Sequence, residues 1–228
     1  MSLLHRWDLS PAEAREMQTN LAQQVDSTTP LDALNIRRLL AVDVSMNRFA
    51  TWLAAAAVVC DIDDRILVES STLIQPIRFP YVTGLLAFRE VPALLKAIDR
   101  LSLDFDAIVV DGQGLAHPRG LGIACHLGLW LDKPAIGLAK TKLTGTHAPV
   151  PNKTGSNVPL MLKDDHQIGV VYRTKAKTAP IFISVGHKCR ISDAVALVKR
   201  ITDNRRIPWP IRAAHDEANA AREGKRIT

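Results

Sequence analysis

The stretch from Ala107 to Gly145 constrains the fold more than any other part of the chain, because a carboxylate stands there at the exit of an apolar strand. Ala107–Val110 is typical of a buried strand and Asp111 follows it directly, while Gly112 and Gly114 let the backbone turn tightly. An ionised carboxylate beside a buried strand is costly unless a metal ion, a hydrogen-bond donor or a cation compensates it. A turn or a helix cap would also account for an aspartate here, so this residue by itself leaves its role open.

Two further carboxylates stand in similarly apolar surroundings. Asp43 interrupts the apolar run Leu39–Met46 in mid-strand, where capping does not apply, and aspartate is depleted in strands. Glu90 lies near the start of an amphipathic helix predicted at about Phe88–Leu101. An acidic residue in a first helical turn can simply complement the helix dipole, so a structural role for Glu90 stays open. Together with Asp111, the two residues indicate a pocket for hard divalent cations, which prefer oxygen ligands.

The hydrophobic pattern of the whole chain predicts an α/β fold with a mixed sheet. Ser10 and Glu13 occupy the positions of a capping box, and Ser192 is placed to cap a later helix. The predicted helices are Pro11–Val25, Phe88–Leu101, Arg119–Leu131, Asp193–Ile201 and Ile211–Arg222; the predicted strands are Leu39–Val44, Thr51–Cys60, Arg65–Ile74, Ala107–Val110, Ala135–Leu138, Gln167–Tyr172 and Pro180–Val185, with His147–Asn157 as a polar loop.

Length and charge fit one domain that binds a polyanion. The 228 residues can bury a full core and no linker-like composition divides them, so residues 1–228 are predicted to form a single domain with a frayed tail at 223–228. The net charge of +6 favours a nucleic-acid partner. Cys60, Cys125 and Cys189 are widely spaced, which predicts free thiols in a reducing compartment. The short polar N-terminus and the absence of a membrane-spanning run predict a cytoplasmic protein.

Five motifs, in this order along the chain, resemble the endonuclease V family. They are AVDVS around Asp43, FPYVTGLLAFRE at Phe79–Glu90, VDGQGLAHPRGLGIACHLGL at Val110–Leu129, KPAIGLAKTKLTG at Lys133–Gly145 and PIFISVGHK at Pro180–Lys188. The resemblance spans roughly Pro11 to Ala220. It implies an RNase H-like fold, in which a mixed β-sheet flanked by helices carries an acidic metal site at its centre.

The resemblance also implies a set of catalytic residues. Asp43 and Asp111 would ligate Mg²⁺, with Mn²⁺ as a substitute, and Glu90 would bind the metal or hold a water on it. Lys140, after the strand AIGLA, would stabilise charge on the scissile phosphate. His215 would ligate a second metal or relay a proton, although an ordinary histidine on a helix surface would look the same in the sequence.

A second group of residues would recognise the base. By resemblance, Pro80 and Tyr81 form a wedge that fills the gap left by an extruded hypoxanthine. The residues expected to form or flank the base pocket are Gly84, Leu86, Gly112, His117, Ile123 and Leu143. The commonest wedge of the family reads Pro-Tyr-Ile-Pro, whereas this chain has Val82 and Thr83, so a rigid proline is missing and wedge stiffness is expected to differ.

The implied activity is cleavage of the second phosphodiester bond 3′ to deoxyinosine in DNA repair, leaving 3′-hydroxyl and 5′-phosphate ends. The implied partner is DNA containing deoxyinosine, single-stranded DNA or RNA being alternatives, and the chain is expected to act as a monomer. An inosine-specific endoribonuclease, another RNase H-like nuclease such as a junction resolvase, and a non-catalytic inosine-binding module remain as other functions. The wedge and the glycine loop argue against a resolvase, and a pure binder gains little from clustered acids near phosphate.

Overall fold

One β-sheet runs through the computed structural model, which describes residues 4–47 and 50–224 apart from the side chain of Asp164. The helices are α1 (Pro11–Ala22), α2 (Leu86–Ile98), α3 (Ile123–Leu131), α4 (Ile191–Ile201) and α5 (Trp209–Arg222), with a short 3₁₀ helix at Lys163–Asp165. The strands are β1 (Arg38–Ser45), β2 (Trp52–Asp61), β3 (Ile66–Pro76), β4 (Ala107–Val110), β5 (Ala135–Ala139), β6 (Asn157–Met161), β7 (Gln167–Tyr172) and β8 (Ile181–His187).

The sheet is mixed. Its eight strands follow the order β3-β2-β1-β4-β5-β8-β7-β6. The neighbours β1, β4 and β5 run parallel, and every other adjacent pair is antiparallel. Parallel neighbours bring the carboxyl ends of their strands to the same edge, which is where ligand sites of open α/β sheets form. The prediction of a mixed α/β fold with flanking helices is confirmed.

Helices cover both faces of the sheet, and β1 shows how. Leu39 and Ala41 pack in a core cluster that includes α4 and α5, whereas Leu40 and Val42 pack in a second cluster that includes α2 and α3. Side chains of a strand alternate between its faces. Asp43, the next residue of β1, therefore points to the same face as Ala41, the face that α5 covers.

Most predicted elements are confirmed within a few residues of their ends, and two features differ. The prediction that Ser192 caps α4 is wrong. The helix begins at Ile191, one residue before Ser192; its N-cap is Arg190, and no side chain caps it. The strand β6 is absent from the prediction, whose polar loop His147–Asn157 ends at the first residue of this strand. Its sequence NVPLM contains a proline, and β6 lies at the edge of the sheet, where a missing N–H donor is tolerated. The predicted tail falls outside the described residues from 225 onward.

The three cysteines are buried free thiols, as predicted. Among the residues in the two described ranges, no helix combines the length and apolar character needed to cross a membrane.

Ser10→Ala should destabilise the protein by about 1 kcal/mol, because it removes one half of the capping box of α1. The Ser10 hydroxyl accepts from the Glu13 N–H at 3.3 Å, and Glu13 Oε2 accepts from the Ser10 N–H at 2.8 Å. Urea denaturation would measure the change in the free energy of unfolding.

Thr19→Ala is the matched control, since it also removes a hydroxyl. The Thr19 hydroxyl donates a hydrogen bond to the Arg15 carbonyl within the same helix and has no part in the cap. This substitution should be nearly neutral. Equal losses from the two substitutions would contradict the assigned role of the capping box.

Candidate active site

Asp43 and Asp111 lie side by side because β1 and β4 are parallel neighbours. Val42 pairs with Val110 in the register, so the residues that follow them, Asp43 within β1 and Asp111 directly after β4, are neighbours. Only 11% of the Asp43 side chain and 12% of the Asp111 side chain are exposed. Two carboxylates are therefore held together in a poorly hydrated place.

Glu90 joins this pair from helix α2. Burial, with the negative charges of Asp43 and Asp111 adding to it, raises the pKa of Glu90 to about 8. Burial and the charge of Asp111 likewise raise the pKa of Asp43, partly offset by its hydrogen bonds to His215 and to the Val44 N–H. The raised pKa values of Glu90 and Asp43 mean that the neighbouring protein groups favour the ionised form of these two acids too little to offset burial and mutual repulsion.

Two basic side chains face the aspartates. His215 on α5 donates from Nδ1 to Asp43 Oδ2 at 2.7 Å, and the Lys140 ammonium pairs with Asp111 Oδ2 just after β5. The structure therefore brings together all five residues to which the family resemblance gave a catalytic role. In this arrangement His215 and Lys140 each occupy one oxygen, Oδ2, of the aspartate that they face.

The donor set nevertheless fits a hard divalent cation. Within the described part of the chain, no three His, Cys, Asp or Glu side chains stand close enough to form a ready-made metal cage. Burial, together with the negative charges of Asp43 and Asp111, nevertheless raises the pKa of Glu90, as expected where three acids lie close to one another. Carboxylate oxygens are the ligands that Mg²⁺ and Mn²⁺ prefer, and rotation of two side chains would release them from Lys140 and His215.

A cavity of about 430 Å³ opens beside the acids. Asp111 and Lys140 line one side of it, so the acidic centre and the cavity are continuous. Its lining also contains seven of the eight residues predicted to recognise the base, which are Tyr81, Gly84, Leu86, Gly112, His117, Ile123 and Leu143. Pro80, the eighth, does not line this cavity.

Two glycines give the cavity its shape. Gly84 has a φ of +78°, and a Cβ there would stand 2.7 Å from Nη2 of Arg119. A Cβ on Gly112 would stand 2.4 Å from Cγ2 of Ile123. Any side chain at Gly84 or Gly112 would therefore strain the backbone or fill the space that opens beside Asp111.

His117 supports the cavity wall as a neutral imidazole. Burial, with the charge of Arg119 adding to it, lowers the pKa of His117 to about 4. Its Nδ1 lies 3.2 Å from the Arg119 N–H and accepts from it, so Nε2 carries the proton and donates to the Gly84 carbonyl at 3.1 Å. The ring thereby fixes the turn at Gly84, next to the exposed wedge.

Two glutamines that the sequence analysis did not single out belong to the cavity. Gln18 on α1 donates to the carbonyls of Gly84 and Leu121, at 3.0 Å and 2.6 Å. Gln113 donates to the Thr141 carbonyl at 2.9 Å, while its Oε1 is buried with no hydrogen-bond partner among the described residues. No local pattern predicts Gln18, because its partners lie far along the chain; Gln113 stood inside the glycine loop and could have been noticed there.

The wedge residue Tyr81 projects from the rim of the cavity. This residue is 75% exposed, an unusual state for a large aromatic residue with an apolar ring. Thr83 is also exposed and lies in a turn before α2. An aromatic ring held in solvent beside a cavity can stack on a ligand that enters.

Comparison with known proteins points to one family. A family model described as Endonuclease V matches residues 19–216. The endonuclease V of Dehalococcoides mccartyi (strain CBDB1) is 43% identical over 212 residues, which cover 93% of this chain and 94% of that protein. The crystal structure of the endonuclease V from Streptomyces avermitilis is similar with a TM-score of 0.89 at 36% identity, covering 96% of this chain and 95% of the other.

A further similar structure contains nucleic acid. It is the Ciona intestinalis endonuclease V in complex with a 24mer DNA containing an inosine followed by a ribo-adenosine, with a TM-score of 0.82 at 23% identity, covering 94% of this chain and 98% of that one. At this level of identity the likeness shows a shared fold.

Glu90→Gln should remove a pH dependence from the stability of the metal-free protein. The pKa of Glu90 is raised on folding from 4.5 to about 8. Its contribution to stability is therefore fully present below the unfolded value and is lost as pH rises through about 8. In chelator, the free energy of unfolding of the unsubstituted chain should decrease from about pH 5 to pH 8 more steeply than that of the variant.

Glu16→Gln, at an exposed position of α1, is the control and should keep the pH profile of the unsubstituted chain. Urea denaturation across the same pH range would measure all three proteins. A Glu90→Gln profile that coincides with the other two would contradict the uncompensated charge at the acidic centre.

Proposed function

The chain belongs to the endonuclease V family, and from this premise we propose that it is a metal-dependent endonuclease of DNA repair that cleaves the second phosphodiester bond 3′ to deoxyinosine. The products would carry 3′-hydroxyl and 5′-phosphate ends. One observation carries the proposal: a cluster of three acids adjoins, through Asp111, a cavity of about 430 Å³ that glycines shape and that has an exposed aromatic residue at its rim. Chemistry and base recognition would thus take place in neighbouring parts of one site.

Asp43 and Asp111, with Glu90, would hold Mg²⁺, or Mn²⁺ as a substitute. When bound, such an ion supplies Lewis-acid polarisation of a phosphoryl oxygen and neutralises charge that develops in the transition state. Asp111 belongs to the acidic centre and also lines the cavity. The acids would therefore set the position of the cleaved bond relative to the base in the cavity.

Lys140 and His215 would act on the phosphate and on protons. The Lys140 side chain is 39% exposed, so its ammonium can reach a phosphate oxygen when it leaves Asp111. Because Nδ1 of His215 donates to Asp43, the other ring nitrogen, Nε2, is the atom that would take up or deliver a proton. Asp43 fixes the orientation of the ring during this step.

The cavity would take the extruded hypoxanthine, and Tyr81 would stack where the base had been. Base extrusion costs a few kcal/mol. Stacking on an aromatic ring contributes roughly 1–3 kcal/mol and can offset part of this cost. Gln113 lines the cavity, and its Oε1 has no hydrogen-bond partner among the described residues, so this oxygen would accept an N–H of the base once the side chain turns toward the cavity. The inosine-containing DNA bound to the Ciona intestinalis relative supports this substrate class.

The chain is proposed to act as a monomer in the cytoplasm. RNA containing inosine is the alternative substrate, since discrimination depends on contacts to a 2′-hydroxyl.

Cleavage of matched DNA and RNA strands that carry a single inosine, with and without Mg²⁺, tests the proposal. Metal-dependent cutting of the DNA one nucleotide beyond inosine is the expected result. A strong preference for the RNA strand would make the chain an endoribonuclease with the same site. Binding without cutting of either strand would refute the enzymatic proposal.

Asp43→Ala and Asp111→Ala should each lower the cleavage rate on the order of 10³-fold, because each removes a carboxylate that would hold the metal. Binding of the inosine strand, followed by fluorescence anisotropy, should be largely retained. Asp99→Ala, at the exposed C-cap of α2, is the control and should cleave normally. Near-normal cleavage by either folded variant would exclude that residue from the metal site.

Tyr81→Ala should weaken binding of inosine-containing DNA by roughly 5- to 100-fold, the range expected for one lost stacking interaction. Tyr81→Phe retains the ring and should bind like the unsubstituted chain. Anisotropy titration with inosine-containing and inosine-free strands would measure both. If the two variants lose the same affinity, the hydroxyl and not the stacking ring would be the important group.

A further inference from the structure

A second cavity, also of about 430 Å³, lies beyond the wedge from the one described above. Its walls come from the N-terminal segment, the end of β3, the wedge segment and helix α2. The division between the two cavities falls within the wedge: Phe79 and Pro80 line the second cavity, whereas Tyr81 and Val82 line the first. Pro80 thus borders a different cavity from its neighbour Tyr81.

Flat apolar groups form the walls of the second cavity. Phe79 and Phe88 lie with ring centroids 5.6 Å apart, and Trp7 contacts Phe88 at 6.2 Å between centroids. Pro80 and Pro92 add two further rings. A pocket of this size lined by flat aromatic and proline surfaces is suited to a planar ligand.

Two residues that line this cavity, Gln75 and Arg89, each carry a buried polar atom without a partner. Oε1 of Gln75 and Nε of Arg89 have no hydrogen-bond partner among the described residues. Buried polar atoms are normally hydrogen-bonded, so a small turn of these two side chains toward the cavity would let them bind a ligand that supplies one donor and one acceptor. The hydrogen-bonding edge of a nucleobase carries both, side by side. Arg89 also donates from Nη1 to the Phe79 carbonyl at 3.1 Å and so connects this pocket to the wedge.

The rim of the cavity is mainly positive. Arg78 and Lys96 are exposed, and neither forms an ion pair with a residue in the described ranges. Asp8 is the acidic residue of the rim, and Arg6 approaches it to 3.8 Å. A ligand with phosphate groups on either side of a flat base would match this combination of basic rim and aromatic interior.

We propose that the second cavity is a nucleobase site, which holds a base of the substrate other than inosine while the wedge is inserted. The inference rests on the proposed function, since it requires the wedge to enter a nucleic acid. Two sources can supply such a base: the complementary strand, through the base opposite inosine, or the inosine strand itself, through a neighbouring nucleotide. Gln75 and Arg89 would bind the edge of the base. Phe79 and Phe88 would form the apolar wall around it.

Pyrrolocytosine, a fluorescent cytosine analogue, tests this proposal when placed at one position at a time. One duplex carries it opposite inosine, and single strands carry it directly 5′ or 3′ to inosine. Acrylamide quenching is measured in the complex with the full chain, in chelator so that no strand is cut. The expected result is protection of the probe at one of these positions, and that position identifies the source of the base.

Two variants and a control separate the second cavity from general binding. Gln75→Leu removes the acceptor at similar volume and should weaken binding of the protected substrate by about 2- to 10-fold, the range of a single hydrogen bond, with loss of probe protection. Lys96→Ala should weaken binding by a similar factor and reduce its salt dependence. Lys199→Ala removes one exposed positive charge from α4. It should leave the protection of the probe unchanged and should weaken binding less than Lys96→Ala does.

Two outcomes would overturn the inference. One is the absence of protection at all three positions; the other is protection and affinity that persist in both Gln75→Leu and Lys96→Ala. Cleavage of the same inosine strands in Mg²⁺ is followed in parallel. Intact cleavage without protection would refute the second base site alone, whereas no cleavage by the unsubstituted chain would refute the proposed function on which the inference rests.

Discussion

The rest of the site depends on the close placement of three buried acids, two of which the parallel pairing of β1 with β4 brings together. Asp43 and Asp111 share an edge of the sheet because Val42 pairs with Val110, and Glu90 approaches them from α2. The protein supplies His215 and Lys140 as partial compensation. A fold that keeps such charge in a poorly hydrated place sacrifices stability there, which is the usual state of a site prepared for a cation.

The cavity for the base is built on the same backbone that carries Asp111. Gly137 of β5 makes this close packing possible, since a Cβ there would stand 2.5 Å from the Gly114 nitrogen and 2.6 Å from the Gly112 carbonyl oxygen. The loop after Asp111 therefore lies directly on the neighbouring strand. Asp111 and the cavity share this loop. A base bound in the cavity would therefore fix the position of the following nucleic-acid backbone relative to the acids.

The sequence predicted the parts of the site that leave a local signal. An aspartate in an apolar strand, a glycine loop and a strand ending in lysine are visible without a structure, and so is the succession of these strands along the chain. The family resemblance added His215 and Tyr81, which the residues themselves would not have distinguished from ordinary surface positions. The structure places both beside the acids or the cavity.

Features that depend on distant contacts could not be predicted in this way. Gln18 reaches the cavity from α1 through carbonyls 66 and 103 residues away. The neutral state of His117 follows from burial beside Arg119, which no spacing in the sequence reveals. Pro80 was grouped with Tyr81 as one wedge, yet the two residues line different cavities. Capping by Ser192 failed because helix α4 starts one residue before it.

Calorimetric titration of the metal-free chain with Mg²⁺ near pH 7, repeated in buffers of different ionisation enthalpy, tests the central claim most directly. With a pKa of about 8, Glu90 is mostly protonated at this pH. Cation binding at the acidic centre should therefore be saturable, release nearly one proton per ion, and disappear in Asp111→Ala. Saturable binding that persists in Asp111→Ala, or that releases no proton, would contradict the account.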